Sequence, residues 1–88
     1  MNGDYNGNGK YTFAKDDKDD REYYIGEFKD DLRHGNGRMT WQNGTTYDGE
    51  WQEGNRHGFG TLLAKDGNII YQGQWENDKQ KTVKSLFN

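Results

Sequence analysis

Two histidines, two glutamates and a run of aspartates are the residues of this chain whose types could do chemistry, and their spacing speaks against it. His34 and His57 stand in matching segments, Arg33-His34-Gly35-Asn36-Gly37 and Arg56-His57-Gly58-Phe59-Gly60. If successive copies occupy alternate strands of one sheet, the two imidazoles lie about 10 Å apart, twice the ~4.8 Å strand spacing. They are then too distant to share a zinc that takes nitrogen at ~2.0 Å. The expected role is structural, with each ring hydrogen-bonding its loop and fixing entry to the next strand. No serine or carboxylate recurs with them as a triad requires. Glu27 and Glu50 also recur, but Gln74 replaces them in a third copy, and paired carboxylates of glycosidase type need a deep groove. Cross-strand partners such as Arg38, or solvent, are expected for both. From Asp16 an EF-hand loop would need glycine sixth and glutamate twelfth, where Arg21 and Glu27 stand, so only the last agrees. Asp16–Asp20 reads as a solvated, flexible hairpin tip at which calcium binding would be weak and incidental. No catalytic residue, metal, cofactor or small-molecule substrate is expected.

The elements that must position these residues follow from repetition. Tyr24-Ile-Gly-Glu-Phe28, Tyr47-Asp-Gly-Glu-Trp51 and Tyr71-Gln-Gly-Gln-Trp75 are spaced by 23 and 24 residues. Such self-similarity marks a repeat architecture, in which function sits on a face built by stacking. Alternation predicts strands: Tyr24, Gly26 and Phe28 share one face, as do Gly37, Met39 and Trp41, then Tyr47, Gly49 and Trp51, then Gly60, Leu62 and Ala64, then Tyr71, Gly73 and Trp75. Asn43-Gly44 predicts a type I′ hairpin, and Asp66-Gly67 a similar turn with a bulge or extra residue. The connections at 29–35 and 52–58 read as longer and looser. Gly26, Gly37, Gly49, Gly60 and Gly73 read as packing residues over which a neighbouring ring lies flat, with bulges as the alternative for Gly26, Gly49 and Gly73. The prediction is an all-β, single-layer antiparallel meander of about six strands, curled into a trough so that its aromatic rows touch. In the tail, Val83, Leu86 and Phe87 have helical spacing and admit a short C-terminal helix as a cap.

These motifs resemble the MORN repeat family, whose units carry a Tyr-x-Gly-Glu-Trp opening, a His-Gly-x-Gly middle and an Asp-Gly before the next unit. The resemblance covers Tyr24 to about Trp75 and reaches back to Gly7-Asn-Gly-Lys-Tyr-Thr-Phe13. It divides one domain, residues 1–88, into a partial repeat at 5–22, repeats at 24–46 and 47–70, a partial repeat at 71–78 and a tail at 79–88. Asn6 departs from the pattern where His34 and His57 stand, a charged insert follows Phe13, and the last unit stops after Trp75. The resemblance implies an accessory or assembly module, in some members an extended homodimer, and membrane or phosphoinositide association has often been proposed for the family.

Composition bounds the function further. With 88 residues the chain is one small domain, only 28% hydrophobic, with 13 glycines. Its core must come from 3 tryptophans, 6 tyrosines and 4 phenylalanines, since aromatic rings bury the most apolar area per residue. The formal charge of −3, with acids and bases interspersed, offers nothing to a nucleic-acid backbone. No apolar run has transmembrane length and no signal-like segment opens the chain, which reads as cytoplasmic, peripheral at most to membrane or cytoskeleton. Cysteine is absent. The leading expectation is a noncatalytic scaffold for protein–protein interaction or self-association, with Tyr24, Phe28, Trp41, Tyr47, Trp51, Tyr71 and Trp75 as partner-binding residues. A peripheral membrane module is weakly supported, because Asp30, Asp31 and Glu53 stand beside Arg33 and Arg56; Lys79, Lys81 and Lys84 are its best candidates. A glycan-binding aromatic ladder is the third reading.

Overall fold

The computed structural model describes residues 6–81. Its strands run in chain order, each pairing antiparallel with its sequence neighbours: β1 (Gly7–Thr12), β2 (Arg21–Lys29), β3 (Leu32–Trp41), β4 (Thr46–Gln52), β5 (Asn55–Leu63), β6 (Ile69–Glu76) and β7 (Lys79–Gln80).

The register aligns one glycine from each of six strands into a row across the sheet: Gly9, Gly26, Gly37, Gly49, Gly60 and Gly73. Two residues along each strand, hence on the same face, lies a second row of Tyr11, Tyr24, Met39, Tyr47, Leu62 and Tyr71. The tyrosines fold down onto the glycines. Tyr24, Tyr47 and Tyr71 each donate their hydroxyl to a carbonyl three residues on, at Glu27 (2.9 Å), Glu50 (2.8 Å) and Gln74 (2.8 Å). A Cβ at Gly37 would overlap the Tyr24 hydroxyl, and one at Gly60 the Tyr47 hydroxyl. Glycine is therefore required there by close approach, not by its backbone freedom.

Trp51 and Trp75 each link one repeat to the one before it. Trp51 meets Tyr47 of its own strand edge-on at 5.1 Å and Tyr24 of the preceding repeat at 5.4 Å. Its indole N–H donates to the Gly37 carbonyl at 3.1 Å. Trp75 repeats the arrangement, with Tyr47 at 5.1 Å, Tyr71 at 5.4 Å and the Gly60 carbonyl at 3.2 Å. Edge-to-face pairs contribute about 0.5–1.5 kcal/mol each beyond area burial. Tyr24, Phe28, Met39, Tyr47, Trp51 and Trp75 form the buried core. The opposite face carries Lys10, Ile25, Arg38, Asp48, Thr61 and Gln72 in register, with Arg38 paired to Asp48 at 3.1 Å and the Gln72 amide donating to Thr61 Oγ1 at 3.0 Å.

Three expectations are corrected. The sheet is open, neither closed nor strongly curled, with β1 and β7 at opposite edges. Curling is unnecessary because the rings reach across the glycine row to meet the next repeat. The described residues form seven strands and not six, and they contain no helix. Lys79 and Gln80, at the head of the expected helix, pair as β7 with Glu76 and Trp75, because Asn77 and Asp78 take positive φ (51° and 72°) and reverse the chain. Val83, Leu86 and Phe87 lie outside the described residues. Tight and loose turns are also exchanged. Asp30-Asp31 and Glu53-Gly54 are tight two-residue turns with positive φ throughout. In the Asn43-Gly44 connection only Gly44 has positive φ (93°), the Trp41 carbonyl accepts from the Gly44 N–H at 2.9 Å, and the type I′ hairpin is absent.

Candidate functional site

The aromatic face carries three adjoining hollows. One of about 490 Å³ lies among Phe13, Phe28, Leu32 and Arg33. A second of about 300 Å³ lies among Arg21, Arg33, Trp41, Trp51, Arg56 and Asp78. A third of about 600 Å³ is bordered by Trp41, Asn43, Arg56 and Leu62. Arg33 borders the first two, and Trp41 and Arg56 border the last two, so the hollows form one groove along the sheet. Of the seven aromatics that the sequence singles out, Tyr24, Phe28, Tyr47, Trp51 and Trp75 are buried beneath it. Trp41 and Tyr71 are half-buried against that core.

Arginines organise the groove, two of them, Arg33 and Arg56, recurring near successive loops in the sequence. The Arg33 guanidinium lies over Trp51 at 5.1 Å and that of Arg56 over Trp75 at 4.6 Å, while Arg21 covers Phe13 at 4.3 Å. Such stacking contributes about 0.5–2 kcal/mol, more where water is excluded. Each of the first two also reaches the turn of the following repeat: Arg33 Nη2 donates to the Gly54 carbonyl at 2.7 Å, and Arg56 Nη2 to the Asp78 carbonyl at 3.0 Å. Burial pushes the Arg33 guanidinium below its usual pKa, and Arg21 and Arg56 nearby add to the effect. The signal for this row was present, since Arg33 and Arg56 occupy one repeat position, but only the strand register shows that they face the rings.

The recurring glutamates have a definite task. Gly26 pairs with Gly37 and Phe28 with Arg33, so His34, Gly35 and Asn36 bulge opposite the single residue Glu27. Gly35 takes a φ of 69° there, and Glu27 Oε2 accepts the Asn36 N–H at 2.9 Å. Glu50 does the same for the bulge at His57–Phe59, accepting the Phe59 N–H at 3.0 Å, with Gly58 at a φ of 76°. The glutamates pin bulges and do not pair with Arg38, which takes Asp48. His34 and His57 sit half-buried in these bulges. At the charged insert, Asp17 turns inward. Its carboxylate accepts from Arg21 Nε and Nη2, both at 2.9 Å, and from the Arg21 and Asp19 N–H groups. The Arg21 hydrogen bonds hold the Asp17 carboxyl well below its usual pKa of 3.8. Among the described residues no group of three or more His, Asp or Glu is placed to hold a metal ion.

This frame of a tyrosine on glycine, a tryptophan on the preceding repeat and a glutamate-pinned His-Gly bulge has a counterpart among known families. The MORN repeat model matches residues 1–18, 24–46, 47–69 and 71–81. The chain belongs to the MORN repeat family. It is also similar to a MORN repeat-containing protein 3 of Xenopus laevis, with 41% identity over 63 residues, covering 65% of this chain and 26% of the frog protein. The chain thus spans about a quarter of that relative's length. MORN repeats are a noncatalytic repeat fold, and here the described residues form one seven-stranded β-sheet. No helix among the described residues is long and apolar enough to cross a membrane.

Proposed function

We propose that this MORN-repeat chain is one interaction domain, residues 1–88, and that a protein partner or a second copy of the chain lies along the aromatic groove. The observation that carries this reading is the continuity of the groove: three hollows joined through Arg33, Trp41 and Arg56 on the face that holds the buried core. Trp41, Leu62 and Tyr71 are half-buried against that core and supply apolar contact area at the surface. Tyrosine, tryptophan and arginine are the residue types enriched in interface hot spots. Tyr24, Phe28, Tyr47, Trp51 and Trp75 act from beneath, holding the surface rings and arginines in place, while the glycine row and the histidine bulges set the frame.

A random peptide display library selected against the chain tests the proposal. Enriched peptides are expected to bind the native protein and to lose binding to Trp41→Ala and Leu62→Ser variants that retain the native circular dichroism. Peptides that bind both variants as tightly as the native protein, or the absence of any enrichment, would contradict a groove-bound partner. Light scattering behind gel filtration over a wide concentration range distinguishes a second copy from a different protein as the occupant.

A further inference from the structure

Arg33 and Arg56 occupy the same position in successive repeats, yet only one of them has an acid. In the Arg56 copy, Asp78 supplies both its carbonyl to Nη2 and its carboxylate to Nε, the latter at 2.7 Å. In the Arg33 copy the corresponding turn residue is Gly54. The equivalence is fixed by the backbone, because the Gly54 N–H donates to the Arg33 carbonyl and the Asp78 N–H to the Arg56 carbonyl, both at 2.9 Å. Gly54 supplies the carbonyl alone. Arg33 Nε is consequently buried without a hydrogen-bond partner, and Arg33 forms no ion pair among the described residues. An unsatisfied buried donor is destabilising, the more so when it is charged.

We propose that Arg33 is the receptor for a carboxylate of an acidic peptide segment in the partner, which takes the place that Asp78 fills for Arg56. This rests on the reading of the groove as an interaction surface. There is room for the incoming group: a Cβ placed on Gly54 would meet only Arg33 Nη2 at 3.7 Å and Leu32 Cδ2 at 3.8 Å. Leu32, the other neighbour of this space, is an exposed side chain that can change rotamer to widen it. The flanking hollow carries Phe13 and Phe28, with Asp31 also in its lining, so a segment that sets one carboxylate on Arg33 and aliphatic side chains on the two rings fits it. Charge favours a carboxylate over a phosphate. Arg21 is engaged by Asp17 and Asp19, and Arg56 by Asp78, which leaves Arg33 as the arginine of the groove without a salt bridge, attracted by Asp78 only through space. A dianion seated there would also face Asp19 and Asp78 across the groove.

The test uses a fluorescein-labelled peptide of interspersed leucine, serine and glutamate, and its counterpart with every glutamate replaced by glutamine. The whole chain is titrated as native protein, as Gly54→Asp and as Gly54→Asn. The positive φ of 86° at Gly54 lies near the 72° of Asp78 in the next repeat, in a region that aspartate and asparagine tolerate better than other side chains, so both variants carry a similar backbone cost. A charge-assisted bond replacing a neutral one predicts a preference of about tenfold for the glutamate peptide. Gly54→Asp, which supplies the carboxylate internally, is expected to abolish the preference and to melt several degrees above Gly54→Asn, which keeps the preference. Equal binding of the two peptides would overturn the carboxylate receptor and leave the groove reading standing. Failure of both peptides to bind would also overturn it, with the display selection still deciding the groove. Phosphatidylcholine vesicles containing phosphatidylinositol bisphosphate provide a separate arm. Gly54→Asp-sensitive binding of these vesicles, with no glutamate preference, would assign the site to a phosphate and likewise overturn the proposal.

Discussion

Residues 24–46 and residues 47–69 share one frame and differ at one joint. In both, a tyrosine lies on the glycine of the next strand, a tryptophan from the following repeat closes over it, a glutamate pins a His-Gly bulge, and an arginine stacks on that tryptophan. At the joint, Arg56 is held by Asp78 and Arg33 is left facing Gly54. The shared parts are what stacking requires, and the difference falls on the groove. In a repeat protein each interface contributes to stability separately, so a joint left incomplete in one copy lowers local stability without unmaking the sheet.

The equivalence of the two frames should show most strongly at the glycine row. Gly37→Val and Gly60→Val are each expected to cost about 3 kcal/mol or more, near the upper end for overpacking, because both side chains would collide with a tyrosine hydroxyl. Gly9→Ala should be nearly silent, since the nearest atom to its added Cβ is in the Phe28 ring at 3.7 Å. Urea unfolding of the three variants checks this, and unequal costs for Gly37 and Gly60 would break the comparison.

Alkali should act alike on both copies. Burial pushes the Tyr24 and Tyr47 phenols up from 10.0 to about 12. The folded state therefore holds these protons where the unfolded chain has released them. Their stabilisation is complete below pH 10 and falls as pH rises toward 12, on the order of 2 kcal/mol for each ring. Phenolate absorbance and circular dichroism should change together in this range, and phenolate appearing earlier without unfolding would contradict the burial.

Smaller and unequal effects are expected where the copies differ. Arg56→Met removes an ion pair and leaves Asp78 alone, at a cost of about 1 kcal/mol. Arg33→Met removes an unsatisfied donor together with the stacking on Trp51 and the bond to the Gly54 carbonyl, so these terms offset and the change should be smaller than for Arg56→Met. Thermal unfolding of the pair checks the difference, and a larger loss for Arg33→Met would contradict it. Glu27→Gln and Glu50→Gln should be smallest and equal, about 0.5–1 kcal/mol each, because an amide oxygen can still accept the bulge N–H.

Much of the frame was legible in the sequence because it depends on periodicity. The family, the strand faces and the antiparallel order follow from the recurrence of Tyr-x-Gly-x-aromatic. Curvature was misjudged because alternation says which face a ring takes but not how far it leans. Only the register shows that Trp51 reaches Tyr24 over Gly37 in a sheet that stays open. Turn lengths were misread for a similar reason: Asp30, Asp31, Glu53, Asn77 and Asp78 take positive φ without being glycine, and glycine-based turn signals pointed elsewhere. The seventh strand went unseen because the Asn77-Asp78 turn lacks such a signal. The arginine row shows in the sequence as recurrence, but the contrast between Gly54 and Asp78 has meaning only once both are placed opposite an arginine.

A double-mutant cycle tests the central contrast most directly: Gly54→Asp and Gly54→Asn, each in the native chain and in the Arg33→Met background, followed by thermal unfolding. An aspartate advantage over asparagine of about 1–2 kcal/mol with Arg33 present, vanishing in the Arg33→Met background, is the predicted result. An advantage of the same size in both backgrounds, or none in either, would mean that Arg33 does not await a carboxylate and that the two repeats are energetically alike.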